Sequence, residues 1–237
     1  MRKLLATSLA TLGLAVAPGL AQAEPIVGTL FLSGNNVQVS QTTIDWLPAG
    51  TGSGTIGVTD AFGYFGMGGH YPGDGLVGEI DTLLDLNFAS SPAGAPLADP
   101  VEGFQTISNS GLNFTLTRIG VCSETTALCA AGADSPFGFA IQTPNLTTVT
   151  LNLFGTVTDS TNPGFISSWE GTFSADVPLS LANIGLALAN NGSVLASYSG
   201  TKITFDIPQE VPEPASMILL GSGLVGLAAR VRGRKRS

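Results

Sequence analysis

The apolar residues of this chain recur at every second position, in short runs. In GLNFTLTRIG, Leu112, Phe114 and Leu116 alternate with Asn113, Thr115 and Thr117. Successive side chains of a strand point to opposite faces, so this spacing predicts a half-buried β-strand. The same period runs through TVTLNLFG, with Val149, Leu151 and Leu153, and through TKITFDIP, where Ile203, Phe205 and Ile207 form the expected apolar face. VGTLFL, NNVQVSQ, TTIDWL, FGFAIQT and FISSWEGTFS supply the β-branched and aromatic residues that suit a pleated surface. Gly, Pro, Asn and Asp interrupt these runs at short intervals. The expectation is an all-β chain folding as a single antiparallel β-sandwich or jelly-roll-like domain.

Three segments depart from the pattern. PLSLANIGLALANNGS permits a short helix through Leu181, Ile184 and Leu188, ended by Asn190-Asn191-Gly192, although a pair of strands fits as well. DTLLDL is ambiguous between helix and strand, and as a strand it would bring Glu79, Asp81 and Asp85 to one face. SSPAGAPLADP, from Ser90 to Pro100, reads as a loop because each proline lacks the N–H that a sheet ladder requires.

The front of the chain has the three parts of a secretory signal: Arg2 and Lys3, the apolar stretch Leu4 to Val16, and Ala21-Gln22-Ala23 as a small-x-small cleavage site. Residues 1–23 are therefore expected to be a signal peptide helix, read by the secretion translocon and signal peptidase. From Glu24 to Glu210 sixteen carboxylates face only Arg118 and Lys202, a formal charge of −14. A body that acidic is repelled by phosphate backbones, so nucleic acid is excluded as a partner.

An exported chain meets an oxidising compartment, so Cys122 and Cys129, the two cysteines present, are expected to pair. His70 lies in the glycine-rich GMGGHYPGDG and reads as a surface loop. Ser53 in GTGSGTIG lacks a nucleophile setting, and no Ser-His-Asp arrangement is legible. Asp74, Glu79, Asp81 and Asp85 are the weak candidates for a metal, Ca²⁺ by preference for oxygen ligands, without the spacing of a known loop. No other cofactor is expected. Trp46, Trp169, Tyr64, Tyr71 and Tyr198 would stack on sugars if exposed; most belong in a core, with Trp169 the best candidate for exposure.

The last segment, from Val211 to Ser237, has its own logic. Pro212 and Pro214 flank Glu213 in a stiff, extended strip of the form proteases accept. Ala215 to Ala229 is apolar or small throughout and predicts a transmembrane helix, which Arg230, Arg232, Arg234, Lys235 and Arg236 would hold with its end in the cytoplasm. VPEPAS, LLGSGLVGLAA and RVRGRKRS in that order resemble the PEP-CTERM sorting signal of exported bacterial proteins. The resemblance implies an inner-membrane-anchored precursor, an exosortase acting near Val211 to Pro214, and a final place in the cell envelope or extracellular matrix with exopolysaccharide or biofilm. The domain plan is thus a signal peptide at 1–23, a β-rich exported domain at 24–210 and the sorting signal at 211–237. The function expected is that of a non-enzymatic matrix protein, with a secreted carbohydrate-active enzyme or a calcium-stabilised adhesin as alternatives.

Overall fold

The computed structural model describes residues 25–47, 52–124, 127–129, 134–162, 164, 166–190 and 192–206. The expected signal peptide and its Ala21 and Ala23, and the expected sorting segment with its helix, lie outside them. Among the described residues no helix is long and apolar enough to cross a membrane.

Among the described residues eleven strands and one α-helix follow in order: β1 Gly28–Val39, β2 Thr43–Trp46, β3 Ser53–Gly63, β4 Ile80–Leu84, β5 Leu86–Asn87, β6 Pro96–Ile107, β7 Leu112–Ile119, β8 Phe137–Thr143, β9 Leu146–Asp159, β10 Ile166–Val177, α1 Leu181–Ala189 and β11 Val194–Asp206, with a single 3-10 turn at Cys122–Glu124. All the pairings between them are antiparallel. Eight strands run β11-β10-β9-β7-β6-β4-β3-β1, and β1 pairs again with β11. The sheet therefore closes on itself. This corrects the expectation of a sandwich or jelly roll: there is one barrel, not two facing sheets. Alternation specifies strands, but closure depends on β1 accepting a neighbour on each edge, which removes the open edges that an unclosed sheet would have to protect. β2, β5 and β8 are extra strands paired outside the ring.

Inward residues fill the barrel. Leu112, Phe114 and Leu116 of β7 point inside as their spacing requires, joined by Leu151, Leu153 and Val157 of β9 and Trp169 and Phe173 of β10. Room for the Trp169 indole comes from Gly155 on the neighbouring strand, where a β-carbon would collide with the Thr115 carbonyl and the indole itself. The indole Nε1 donates to Thr115 O at 3.2 Å and Thr156 O at 3.1 Å. The ring is thus placed by hydrogen bonds as well as packing.

β11 reverses the expected face. Ile203 and Phe205 are 50% and 46% exposed, whereas Lys202 and Thr204 are buried. Residues opposite one another in a ladder share a face, and Thr204 stands opposite Trp169 on β10 while Lys202 stands opposite Leu30 on β1. Two inward neighbours thus fix the parity of β11. Its own hydrophobicity does not. Ile207, the third residue of that expected face, lies outside the described residues.

The other ambiguous segments also resolve. DTLLDL is extended rather than helical: Asp81 to Leu84 belong to β4, with Asp81 and Leu83 inward, and Leu86 begins β5 after a break at Asp85. The expected Ser90–Pro100 loop is corrected over its second half, since β6 begins at Pro96. β4 pairs only with Gln105 to Ile107, so the start of β6 has one unpaired edge where Pro96 and Pro100 are tolerated. The helix forms: Ser180 caps it, its Oγ accepting from Asn183 N at 3.3 Å, and Gly192 N closes the other end on Ala187 O. Its Ile184 and Leu188 line an apolar cavity of about 50 Å³ together with Val37, Ile44, Phe173 and Val177.

Candidate functional site

A polar cluster lies within the apolar interior. Lys202 of β11, Gln105 of β6 and Asp81 of β4 are each fully buried. The Lys202 amine donates to Gln105 Oε1, and Gln105 Nε2 donates to Asp81 Oδ2. The amine also lies 3.9 Å from the centroids of both the Phe114 and the Trp169 rings. Asp81 Oδ1 is buried without a hydrogen-bond partner among the described residues.

Charge is expensive in such surroundings. Burial holds the Lys202 amine well below the ordinary lysine value, opposed by Asp81. Burial also pushes the Asp81 carboxyl up to about 7, with Lys202 and Gln105 drawing it back. Both shifts favour the uncharged forms, an amine with a free lone pair beside a carboxamide and a carboxylic acid. Chemically this is a nucleophile, an electrophilic carbon and a proton carrier in one dry compartment.

A second cluster closes one end of the barrel. Asp159, at the end of β9, accepts from Tyr64 Oη at 2.8 Å and Tyr71 Oη at 3.2 Å through one oxygen, and from Thr161 N at 2.8 Å and Thr161 Oγ1 at 2.5 Å through the other. Burial opposes its ionisation, but these hydrogen bonds prevail and hold the carboxyl below its ordinary value. Burial raises both tyrosines, Asp159 adding to it. His70 stacks on Tyr64, with ring centroids 4.8 Å apart and planes within 7°, and its Nε2 lies 3.8 Å from Asp159 Oδ2. With the Asn162 amide oriented to donate, Nδ2 reaches His70 Nε2 at 2.8 Å. That nitrogen is then engaged as an acceptor, so His70 serves here to pin the β3–β4 segment over the barrel end.

The four carboxylates singled out for a metal do not meet. Asp74 is exposed, Glu79 accepts from Ser108 Oγ at 2.6 Å and Asn109 Nδ2 at 2.9 Å on a surface turn, Asp81 is inside, and Asp85 accepts from Trp46 N at 2.9 Å. Among the described residues no three His, Cys, Asp or Glu side chains are placed to hold an ion. Cys122 and Cys129 are joined in a disulfide with Cα atoms 5.5 Å apart. Beside it Arg118 makes a two-pronged pair with Glu124 at 2.6 and 2.8 Å. Ser53 begins β3. Trp46, Trp169, Tyr64, Tyr71 and Tyr198 are all buried, which corrects the choice of Trp169 as an exposed sugar platform: its inward parity follows from the alternation with Phe173.

Lys202, Gln105 and Asp159 were not legible as site residues. The available signal was that Lys202 is one of only two cations in the acidic body and lies between Thr201 and Ile203 in an alternating strand. The processing residues Val211, Pro212, Glu213 and Pro214 and the basic tail Arg230, Arg232, Arg234, Lys235 and Arg236 lie outside the described residues.

No curated protein and no solved structure matches the chain. One family model, described as the PEP-CTERM protein-sorting motif, matches residues 210–235. The chain therefore carries a PEP-CTERM protein-sorting motif, the mark of an exported protein targeted to exosortase.

Proposed function

We propose that the barrel is a non-enzymatic cargo of the cell envelope or extracellular matrix, held there by contact with exopolysaccharide. The observation that carries this reading is the outer face of β3, β1, β11 and β10. There Phe62, Phe31, Ile203 and Phe205 are exposed, with the Phe31 and Phe62 rings edge to face at 5.9 Å. The ladder sets Thr29 between Phe62 and Ile203, Asp60 beside Phe31, and Glu170 beside Ile203. Exposed apolar groups bordered by hydroxyls and carboxylates mark a contact surface, and they suit the mixed apolar and hydroxylated faces of sugar rings. The acidic border disfavours an anionic polymer, so the polymer is neutral or cationic.

The test has two arms. The purified chain is sedimented with exopolysaccharide from its own host over a range of polymer concentrations, and Phe31→Ser combined with Phe62→Ser is expected to raise the apparent dissociation constant about tenfold, the equivalent of losing roughly 1.4 kcal/mol of contact energy. Undiminished binding would remove this face from the reading. Separately, a chain lacking residues 212–237 is expected to miss the envelope, and mass spectrometry of the mature C-terminus is expected to end near Pro212-Glu213-Pro214; an intact arginine tail would sink the processing step.

A further inference from the structure

We propose that Lys202 and Gln105 join in an intramolecular isopeptide bond that spans the barrel interior, with Asp81 as its proton relay. The residues are 97 apart in sequence, and three strands stand between β11 and β6 in either direction around the ring. Two of the longer side chains thus reach inward from opposite walls and meet. The hydrogen bond of the Lys202 amine goes to the Gln105 carboxamide, and the Asp81 carboxyl is near enough to act on the amine electrostatically. The carboxamide in turn presents its nitrogen to Asp81.

The chemistry balances without any added reagent. The lone pair of neutral Lys202 Nζ attacks Gln105 Cδ, forming a C–N bond and a tetrahedral centre. Asp81 accepts one proton from the attacking nitrogen on one carboxyl oxygen and delivers one to Gln105 Nε2 from the other. The Cδ–Nε2 bond breaks and ammonia leaves, so an amide replaces an amide and Asp81 returns to its starting form.

Each element of the surroundings serves this step. Burial weakens the amine's hold on its proton, and only the deprotonated amine has a lone pair to give. The raised Asp81 carboxyl carries the proton that the leaving nitrogen requires. Phe114 and Trp169, each 3.9 Å from Nζ at the ring centroid, hold the amine in place and exclude water that would otherwise compete. Fixed reactants need not be fast catalysts, because the bond is made once per molecule.

Mass spectrometry decides. The full chain, purified after export, is cleaved after Phe and Tyr. The wild type is expected to release Gln105–Phe114 and Ser199–Phe205 as one joined species, lighter by one ammonia than the two peptides together. Asp81→Asn is expected to release them separately at full mass from a chain that keeps the far-ultraviolet circular dichroism of the wild type. Gln105→Leu and Lys202→Met are expected to show no joined species. Separate wild-type peptides at full mass would overturn the proposal, even if the variants fail to fold. A joined species in Asp81→Asn at the wild-type yield would overturn the relay.

Discussion

Trp169 and Thr204 stand opposite one another on β10 and β11, both turned into the barrel. This pairing directs Lys202 inward, since it is two residues along the same strand from Thr204. Trp169 also lies against the Lys202 amine and against the parallel Phe104 ring, 6.2 Å away between centroids. Trp169→Ala is expected to remove about 3–5 kcal/mol of stability, read from the urea midpoint. A loss below about 1 kcal/mol would mean that the indole is not central to the core.

The two buried carboxylates give opposite pH responses. Asp81 is raised in the folded chain to about 7, so the native state retains its proton where the unfolded chain has lost it. Its contribution is complete below the unfolded value near 4 and is lost as pH rises toward 7. The melting temperature of the wild type is therefore expected to fall from pH 4 to 7 relative to that of Asp81→Asn. Asp159 is lowered, so its contribution is present above the ordinary carboxylate value and is lost as pH falls below it. Asp159→Asn is expected to flatten the acid limb only.

Cys122 and Cys129 lie between β7 and β8, outside the ring. Replacing both with Ser is expected to cost about 2–3 kcal/mol by releasing the short loop in the unfolded chain, while the barrel persists. Urea melts of the double variant and of reduced wild type are expected to coincide. Loss of the β spectrum in the double variant would contradict the placement of the bridge outside the ring.

Asp74, Glu79, Asp81 and Asp85 occupy separate surroundings. Millimolar Ca²⁺ is expected to change the melting temperature no more than Mg²⁺ does. A rise specific to Ca²⁺ would point to ligands beyond this set.

Much of the secondary structure was legible because a strand's period is a local property. Leu112, Phe114 and Leu116 predict β7 without help from any other residue, and the sorting motif is equally local, a Pro-Glu-Pro step, an apolar run and a basic end in one stretch. Closure was not legible, since nothing within Gly28–Val39 says that it will pair with both β3 and β11. The interior cluster was hidden for the same reason. Ile203 and Phe205 outweigh Lys202 when β11 is read alone, and only the ladder partners Trp169 and Leu30 reverse that choice. Asp81 drew notice as a weak metal candidate among Asp74, Glu79 and Asp85, whereas its meaning depends on two residues from β6 and β11.

The join between β1 and β11 also governs timing. A chain threaded across a membrane from its N-terminus delivers β1 early, but that strand has one vacant flank until β11 arrives as the last stave of the hoop. In that order of emergence Asp206 would have to clear the membrane before the hoop could shut, and the matched motif starts only at residue 210. A pause imposed there would come just after the final stave is delivered, and would give the barrel a held interval in which to close.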